Sequence, residues 1–251
     1  MSNIIVPEWP APANVKACIT TRKGGVSQSV YQSNNLARHV GDNPEHVDQN
    51  RRQLCDSLGL AREPQWLEQI HGVKVVAGQS DGRVRTADGS YSNEPGQACT
   101  VLTADCLPVL ICNRAGTEVA AIHAGWKGLA KGILARGVGR FKSPSAELLA
   151  YFGPAISQPA FEVGIDVLEA FFKGARNDAH ADAVAAAFLP ARQPMRFYAD
   201  IYALARADLN ALGVTAIYGG DYCTYADRER FYSFRRDDVT GRMASVIWLA
   251  G

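Results

Sequence analysis

The chain carries five histidines, at 39, 46, 71, 123 and 180, and six cysteines, at 18, 55, 99, 106, 112 and 223. Three of these side chains stand where a predicted strand meets a turn. His71 follows Trp66-Leu67-Glu68-Gln69-Ile70, Cys106 follows Val101-Leu102-Thr103-Ala104-Asp105, and His123 follows Val119-Ala120-Ala121-Ile122. Strand ends bring side chains from distant sequence to one cleft. Two imidazoles and one thiolate suit zinc and leave the fourth tetrahedral position open, as catalytic sites do. One thiolate on a divalent ion leaves a net positive centre, which polarises oxygens and lowers the pKa of bound water. The spacings, 71 to 106 and 106 to 123, are not those of a zinc finger. On spacing alone, ordinary buried His and Cys residues are the simpler reading.

The same side chains support another chemistry, with Cys106 as a nucleophile activated by a nearby His. Asp105 is the neighbouring candidate acid or base, and equally a turn cap. His123 precedes Ala124-Gly125-Trp126, where a helix is predicted to start. Backbone N–H groups there would lie beside the metal and suit a phosphate or an oxyanion, unless the junction is a plain strand–turn–helix connection. The phosphate-binding G-x-x-x-x-G-K-[ST] loop, the H-E-x-x-H helix and the G-x-S-x-G elbow are all absent. His39 and His46 read as surface residues, and His180, in the Ala-rich stretch 179–187, as solvated. Arg235-Arg236-Asp237-Asp238 reads as an exposed turn, with a phosphate- or carboxylate-binding Arg as the other possibility.

The elements that would position these groups follow from periodicity and punctuation. Residues 15–21 alternate and are β-branched, so they predict a strand, followed by a turn at Arg22-Lys23-Gly24-Gly25. Asn43 is a predicted N-cap and Pro44 a first helical residue. Val47, Leu54 and Leu58 share the face of that helix, Arg51 and Arg52 lie inside it, and Gly59 stops it. Residues 65–71 and 73–77 predict short strands around Gly72, and the Gly/Ser/Asp/Asn-rich run 78–97 a loop. Strands are predicted at 98–103, 107–112 and 118–122. A helix follows from Trp126, with Leu129, Ile133, Leu134, Val138 and Phe141 as its apolar stripe. Gly128 and Gly132 weaken that helix by roughly 1 kcal/mol each relative to Ala, and close packing on a sheet explains them. Further strands are predicted at 147–152, 214–218, 229–234 and 242–249, and helices at 166–173, 178–188 and 199–212. Strands and helices mix along the whole length, with no repeat and no linker. The expected architecture is one α/β domain over residues 1–251, with a mixed β-sheet and flanking helices.

Composition narrows the function. At 251 residues and 47% hydrophobic, the chain can bury a full core. Its 26 Lys and Arg balance 25 Asp and Glu, which argues against nucleic-acid and membrane partners. The N-terminus Met1-Ser2-Asn3-Ile4-Ile5-Val6-Pro7 has neither the basic nor the apolar region of a signal peptide, and no apolar stretch is long enough to span a bilayer. The scattered cysteines form no C-x-x-C pair, so reduced thiols in the cytoplasm are expected.

A longer set of motifs gives a resemblance. It comprises Thr20-Thr21-Arg22-Lys23-Gly24-Gly25-Val26-Ser27, Gly41-Asp42-Asn43-Pro44 with Asn50-Arg51, Gln69-Ile70-His71-Gly72 and Thr103-Ala104-Asp105-Cys106-Leu107-Pro108. It continues with His123-Ala124-Gly125-Trp126-Lys127-Gly128, Gly153-Pro154-Ala155-Ile156, Phe161-Glu162-Val163-Gly164 and Tyr232-Ser233-Phe234-Arg235-Arg236. In this order, and almost end to end, the chain resembles the bacterial laccase-domain family. That family was long labelled multicopper polyphenol oxidases and is now assigned as purine nucleoside phosphorylases that also deaminate adenosine. The resemblance implies catalytic zinc on His71, Cys106 and His123. It implies adenosine, inosine and S-methyl-5′-thioadenosine as substrates with phosphate. It also implies a fold like the catalytic domain of cytotoxic necrotizing factor toxins, which use a Cys–His pair, so a nucleophilic Cys106 stays open. Arg51, in the Asn-Arg pair, and Arg235, in the closing motif, are the candidate substrate or phosphate contacts, with scaffold ion pairs as the alternative.

Two positions depart from the family pattern. Lys127 stands where Arg is usual, replacing a bidentate donor by a point charge. Gln158-Pro159-Ala160-Phe161 replaces a segment with paired Cys. Some relatives are implicated in cleaving peptidoglycan precursors that carry L-Ser, which makes amide hydrolysis the alternative function. A copper polyphenol oxidase is disfavoured, because a blue-copper site alone takes two His and a Cys, and five histidines with no H-x-H pair leave too few for a further cluster.

Overall fold

In a computed structural model that describes residues 3–251, the elements run in this order. The first half contains β1 (Ile4–Ile5), β2 (Val15–Thr20), α1 (Pro44–Leu58), β3 (Leu67–Glu68), β4 (Val75–Ala77), β5 (Arg85–Thr86) and β6 (Gly89–Ser92). The centre holds β7 (Cys99–Thr103), β8 (Leu107–Asn113), β9 (Val119–Ala124), α2 (Trp126–Ala130), α3 (Ile133–Val138) and β10 (Leu148–Phe152). Then come β11 (Glu162–Gly164), α4 (Ile165–Lys173), α5 (Asp178–Ala186), β12 (Phe188–Pro190), β13 (Arg196–Ala199) and α6 (Ile201–Ala211). The chain closes with β14 (Ala216–Gly219), α7 (Phe234–Asp237) and β15 (Met243–Leu249). Met1 and Ser2, the first residues of the segment read for a signal peptide, lie outside the described residues. Among those residues no helix is long and apolar enough to cross a membrane.

Two sheets carry the molecule. A six-stranded sheet has the order β14-β10-β8-β9-β6-β4, and a four-stranded sheet has the order β1-β2-β15-β7. The larger one is mixed as expected: β10 pairs parallel with β14 and antiparallel with β8, and β4 pairs parallel with β6. Its central strands are buried on both faces, so each reads as an unbroken apolar run. Within a run the side chains still alternate. Leu107, Val109 and Ile111 of β8 and Leu148, Ala150 and Phe152 of β10 face the core shared with α3 and α6. Leu110, Cys112, Leu149 and Tyr151 face the second sheet, where Val101 and Ile247 meet them. On the far side of that sheet, Leu54 of α1 packs with Leu36, Trp66, Leu102 and Val246. The result is an α/β/β/α stack whose two sheets end at one common edge. Thr103 at the end of β7 pairs with Met243 at the start of β15. Leu107 at the start of β8 pairs with Ala124 at the end of β9.

Several sequence expectations are corrected here. The run 78–97 is not one loop, because Gly89-Ser90-Tyr91-Ser92 forms β6 between β9 and β4. Small and hydroxylated side chains hid a fully buried strand; Tyr91 donates its hydroxyl proton to Glu118 at 2.6 Å. The long helix from Trp126 is two short ones, split at Gly132, whose φ of +86° no helix accommodates. No strand forms over 229–234. Phe231 and Tyr232 are buried there by turns rather than by a ladder, the Phe231 N–H donating to the Asp227 carbonyl. A three-stranded sheet of β11, β13 and β12 was not anticipated. His180 is buried, its Nδ1 accepting the Arg176 N–H, rather than solvated.

The break at Gly132 yields a stability test. A side chain at that φ strains the backbone by about 1–2 kcal/mol. Gly132→Ala is expected to lower the urea midpoint accordingly, and an unchanged midpoint would contradict the assigned turn.

Candidate metal centre

The common edge of the two sheets assembles the three expected ligands. His123 sits on β9, Cys106 immediately before β8, and His71 in the turn between β3 and β4. The ligand atoms of all three lie within 4.8 Å of one another, and His71 Nε2 is 3.7 Å from Cys106 Sγ. A zinc tetrahedron with bonds of about 2.0–2.3 Å has edges of roughly 3.5 Å, so the donors fit a metal with small adjustment. His71 is exposed, Cys106 half-buried and His123 buried, which leaves the centre open on one side.

A residue that sequence reasoning missed organises this centre. Asp88, fully buried between β5 and β6, accepts the backbone N–H of His71 at 2.8 Å and of Gly72 at 2.7 Å. The same carboxylate takes the Nδ1–H of His123 at 2.8 Å. That bond leaves His123 Nε2 as the ligand atom, the usual carboxylate–histidine–metal arrangement. It also holds His71 at a φ of +58°, a conformation few non-glycine residues adopt. Asp88 lies in the polar run read as loop, and its only sequence signal is an acidic residue that precedes a small-residue strand.

Glycines make the close approach possible. A Cβ on Gly125 would meet His71 Cδ2 at 2.8 Å and Cys106 Sγ at 3.2 Å. A Cβ on Gly128 would meet the Gly72 carbonyl oxygen at 2.7 Å, so α2 can rest directly on the His71 turn. Close packing is therefore the role of Gly128. The helix start itself is slight: α2 has five residues, and Gly125 provides no side-chain cap.

Charges in the cluster are coupled. Burial alone would raise the Cys106 thiol, but the charge of His123 and hydrogen bonds from His123 and His71 bring it down to about 6. Burial likewise opposes protonation of His123, and the Cys106 thiolate and the Asp88 hydrogen bond outweigh it, raising the imidazole to about 9. Both directions favour the thiolate of Cys106, the form that binds metals.

The other expected residues divide between clefts. Asp105, at a φ of +88°, accepts the Thr224 hydroxyl at 2.6 Å on one oxygen and the Arg235 backbone N–H at 2.6 Å on the other. Arg235 lies on α7, which replaces the expected turn; its guanidinium donates to the Glu162 carbonyl at 3.0 Å and sits over Phe161. His71, Asp105, Cys106 and Arg235 line one cleft of about 290 Å³, together with Trp126 and Lys127. Arg51 is elsewhere, in a neighbouring cleft of about 570 Å³. Its guanidinium carbon lies 3.9 Å from the Trp66 ring centroid, and Nε donates to the Leu36 carbonyl. Arg242 and His39 line the enclosed side of the centre, and nothing in the sequence pattern pointed to Arg242.

Comparison with known proteins places the chain in a family. The family model described as multi-copper polyphenol oxidoreductase laccase matches residues 16–250. The chain belongs to that family. It is 53% identical over 249 residues to a purine nucleoside phosphorylase of Pseudomonas aeruginosa, covering 99% of each chain. It is 53% identical over 251 residues to the purine nucleoside phosphorylase YfiH of Escherichia coli, covering 99% of this chain and 100% of that one. Among solved structures, a Neisseria meningitidis protein of the DUF152 family is 51% identical with a TM-score of 0.94, covering both chains fully. YlmD of Geobacillus stearothermophilus is 28% identical with a TM-score of 0.87 over 96% of this chain and 94% of that one. The family description points to copper. The donors found are one His–Cys–His set, the only such group among the described residues.

Asp88 and Gly125 generate a test of the centre. Asp88→Asn should weaken metal binding about 10–100-fold in chelator competition, because a candidate ligand loses its orienting carboxylate. Gly125→Ala should act in the same direction by crowding the ligand atoms. Wild-type metal affinity in both variants would contradict the arrangement.

Proposed function

We propose that this chain is a zinc-dependent purine nucleoside phosphorylase that takes adenosine, inosine and S-methyl-5′-thioadenosine and also deaminates adenosine at the same centre. The observation that carries the reading is an open His–Cys–His centre in a chain 53% identical, over its whole length, to proteins named purine nucleoside phosphorylase. Zinc suits these donors. Multicopper oxidation needs a second cluster of histidines, whereas His39, His46 and His180 join no further group of three ligands among the described residues. When bound, zinc supplies a Lewis acid that polarises a substrate oxygen.

In this reading His71, Cys106 and His123 hold the metal, and Asp88 fixes two of them. Asp105 is a positioning residue: its two short hydrogen bonds tie the turn before Cys106 to Thr224 and to the start of α7. Arg235 borders the nucleoside and Arg51 serves the neighbouring cleft. Lys127 lines the same cleft as a point charge, its Nζ 5.6 Å from the Trp126 ring centroid. The partners are a nucleoside and phosphate, and the place of work is the cytoplasm; all six cysteines are unpaired in the fold, in keeping with a reducing compartment.

A second reading draws on the 3.7 Å contact between Cys106 Sγ and His71 Nε2, which also suits a thiolate nucleophile beside its base. It would make the chain an amide hydrolase acting on peptidoglycan precursors that carry L-Ser.

The decisive assay is inosine incubated with the purified protein, with and without phosphate. Hypoxanthine and ribose 1-phosphate are expected only with phosphate, and adenosine is expected to give adenine and inosine. Turnover of the L-Ser precursor with no phosphate-dependent hypoxanthine would replace the first reading by the second.

A further inference from the structure

Two adjoining lobes of the cleft meet at His71 and Cys106 and differ in size and enclosure. The outer lobe, about 290 Å³, is lined by the apolar Trp126, Phe161 and Ile156 and by the charged Asp105, Lys127 and Arg235. The inner lobe is smaller, about 200 Å³, and more enclosed, and Arg242 lines it beside His39, Gln69 and Thr103. His71, Cys106 and Phe234 border both. Phe234 is 52% exposed, a large apolar ring left in water at the partition.

Arg242 is the cation of the inner lobe. Its Nη1 donates to the carbonyls of Thr240 at 2.9 Å and Gly241 at 3.0 Å, both in its own turn. Among the described residues Nε and Nη2 have no hydrogen-bond acceptor, and no carboxylate lies within ion-pair distance. The guanidinium carbon is 5.8 Å from the Phe234 ring centroid. Burial lowers the Arg242 pKa, and the negative charges of Cys106 and Asp105 oppose that fall. The group is therefore partly desolvated and within electrostatic reach of the metal-binding thiolate. A guanidinium removed from water without a counter-ion is costly, and its open N–H edge matches a pair of phosphate oxygens. Arg235 is a poorer candidate, since it is exposed. Small-molecule sites occupy roughly 300–1,000 Å³, so the outer lobe approaches nucleoside size while the inner one suits a tetrahedral oxyanion.

We propose that the lobes divide the substrates: the inner lobe holds inorganic phosphate on Arg242, and the outer lobe holds the nucleoside against Phe234. The proposal rests on the phosphorylase reading above. In the reaction a phosphate oxygen bonds to ribose C1′ as the bond from C1′ to the purine nitrogen breaks. The electron pair leaves with that nitrogen, which takes up the proton that phosphate gives up.

The test measures inorganic phosphate binding to the zinc-loaded protein by calorimetric titration, beside KM for phosphate and for inosine. Arg242→Gln is expected to raise the phosphate Kd and KM on the order of tenfold or more, with zinc content and the inosine KM little changed. Arg242→Lys should recover part of the loss. Phe234→Leu should raise the inosine KM and leave the phosphate Kd near the wild-type value. An unchanged phosphate Kd in folded, zinc-loaded Arg242→Gln overturns the assignment; if that variant does not fold, an unchanged Kd in Arg242→Lys does so. Arg242-dependent phosphate binding without any hypoxanthine release would keep the anion subsite and remove the phosphorylase reading. Phosphorolysis by the wild type with phosphate affinity insensitive to Arg242 would do the reverse.

Discussion

One buried carboxylate sets the geometry of the centre. Asp88 receives N–H groups from the His71–Gly72 turn and the ring N–H of His123, so a single side chain aligns ligands from two separate parts of the chain. A buried carboxylate is tolerable only when its oxygens are satisfied, and here both are bonded. The constraint propagates outward. With the His71 turn held at positive φ by Asp88, α2 can rest on it because Gly128 has no side chain, and the ligand atoms can converge because Gly125 has none. The strands matter as the frame: β8 and β9 pair so that Cys106 and His123 emerge at the same end.

The family description and the site pull towards different metals. A polyphenol oxidase with several coppers requires histidines in number, and this fold spends its ligands on one three-donor set. A centre with two imidazoles, one thiolate and an open side is instead suited to Lewis-acid work on an oxygen-bearing substrate. The cleft around it offers the aromatic faces of Trp126 and Phe161 and the guanidinium groups of Arg235 and Arg242.

Much of this was legible in the sequence, and what was hidden has physical causes. His71, Cys106 and His123 stood out because rare ligand types closed apolar runs, and strand ends converge. The α1 boundaries were readable because Asn43 caps Glu45 and Gly59 takes the left-handed conformation. Asp88 was illegible because β6, which follows it, is made of Gly, Ser and Tyr, and its burial comes from strands on both sides rather than from its own hydrophobicity. The split at Gly132 was hidden because the apolar stripe continues in helical register across the break. Tyr232 and its neighbours mimicked a strand because aromatic burial and β-pairing favour the same residues. Arg242 gave no signal, since its position depends on β15 pairing with β7.

The most direct measurement is X-ray absorption at the metal edge of the protein as isolated, with metal content determined on the same sample. The account predicts one zinc per chain, with one sulfur at about 2.3 Å and two imidazole nitrogens at about 2.0–2.1 Å. Several coppers per chain, or a metal shell without sulfur, would contradict it.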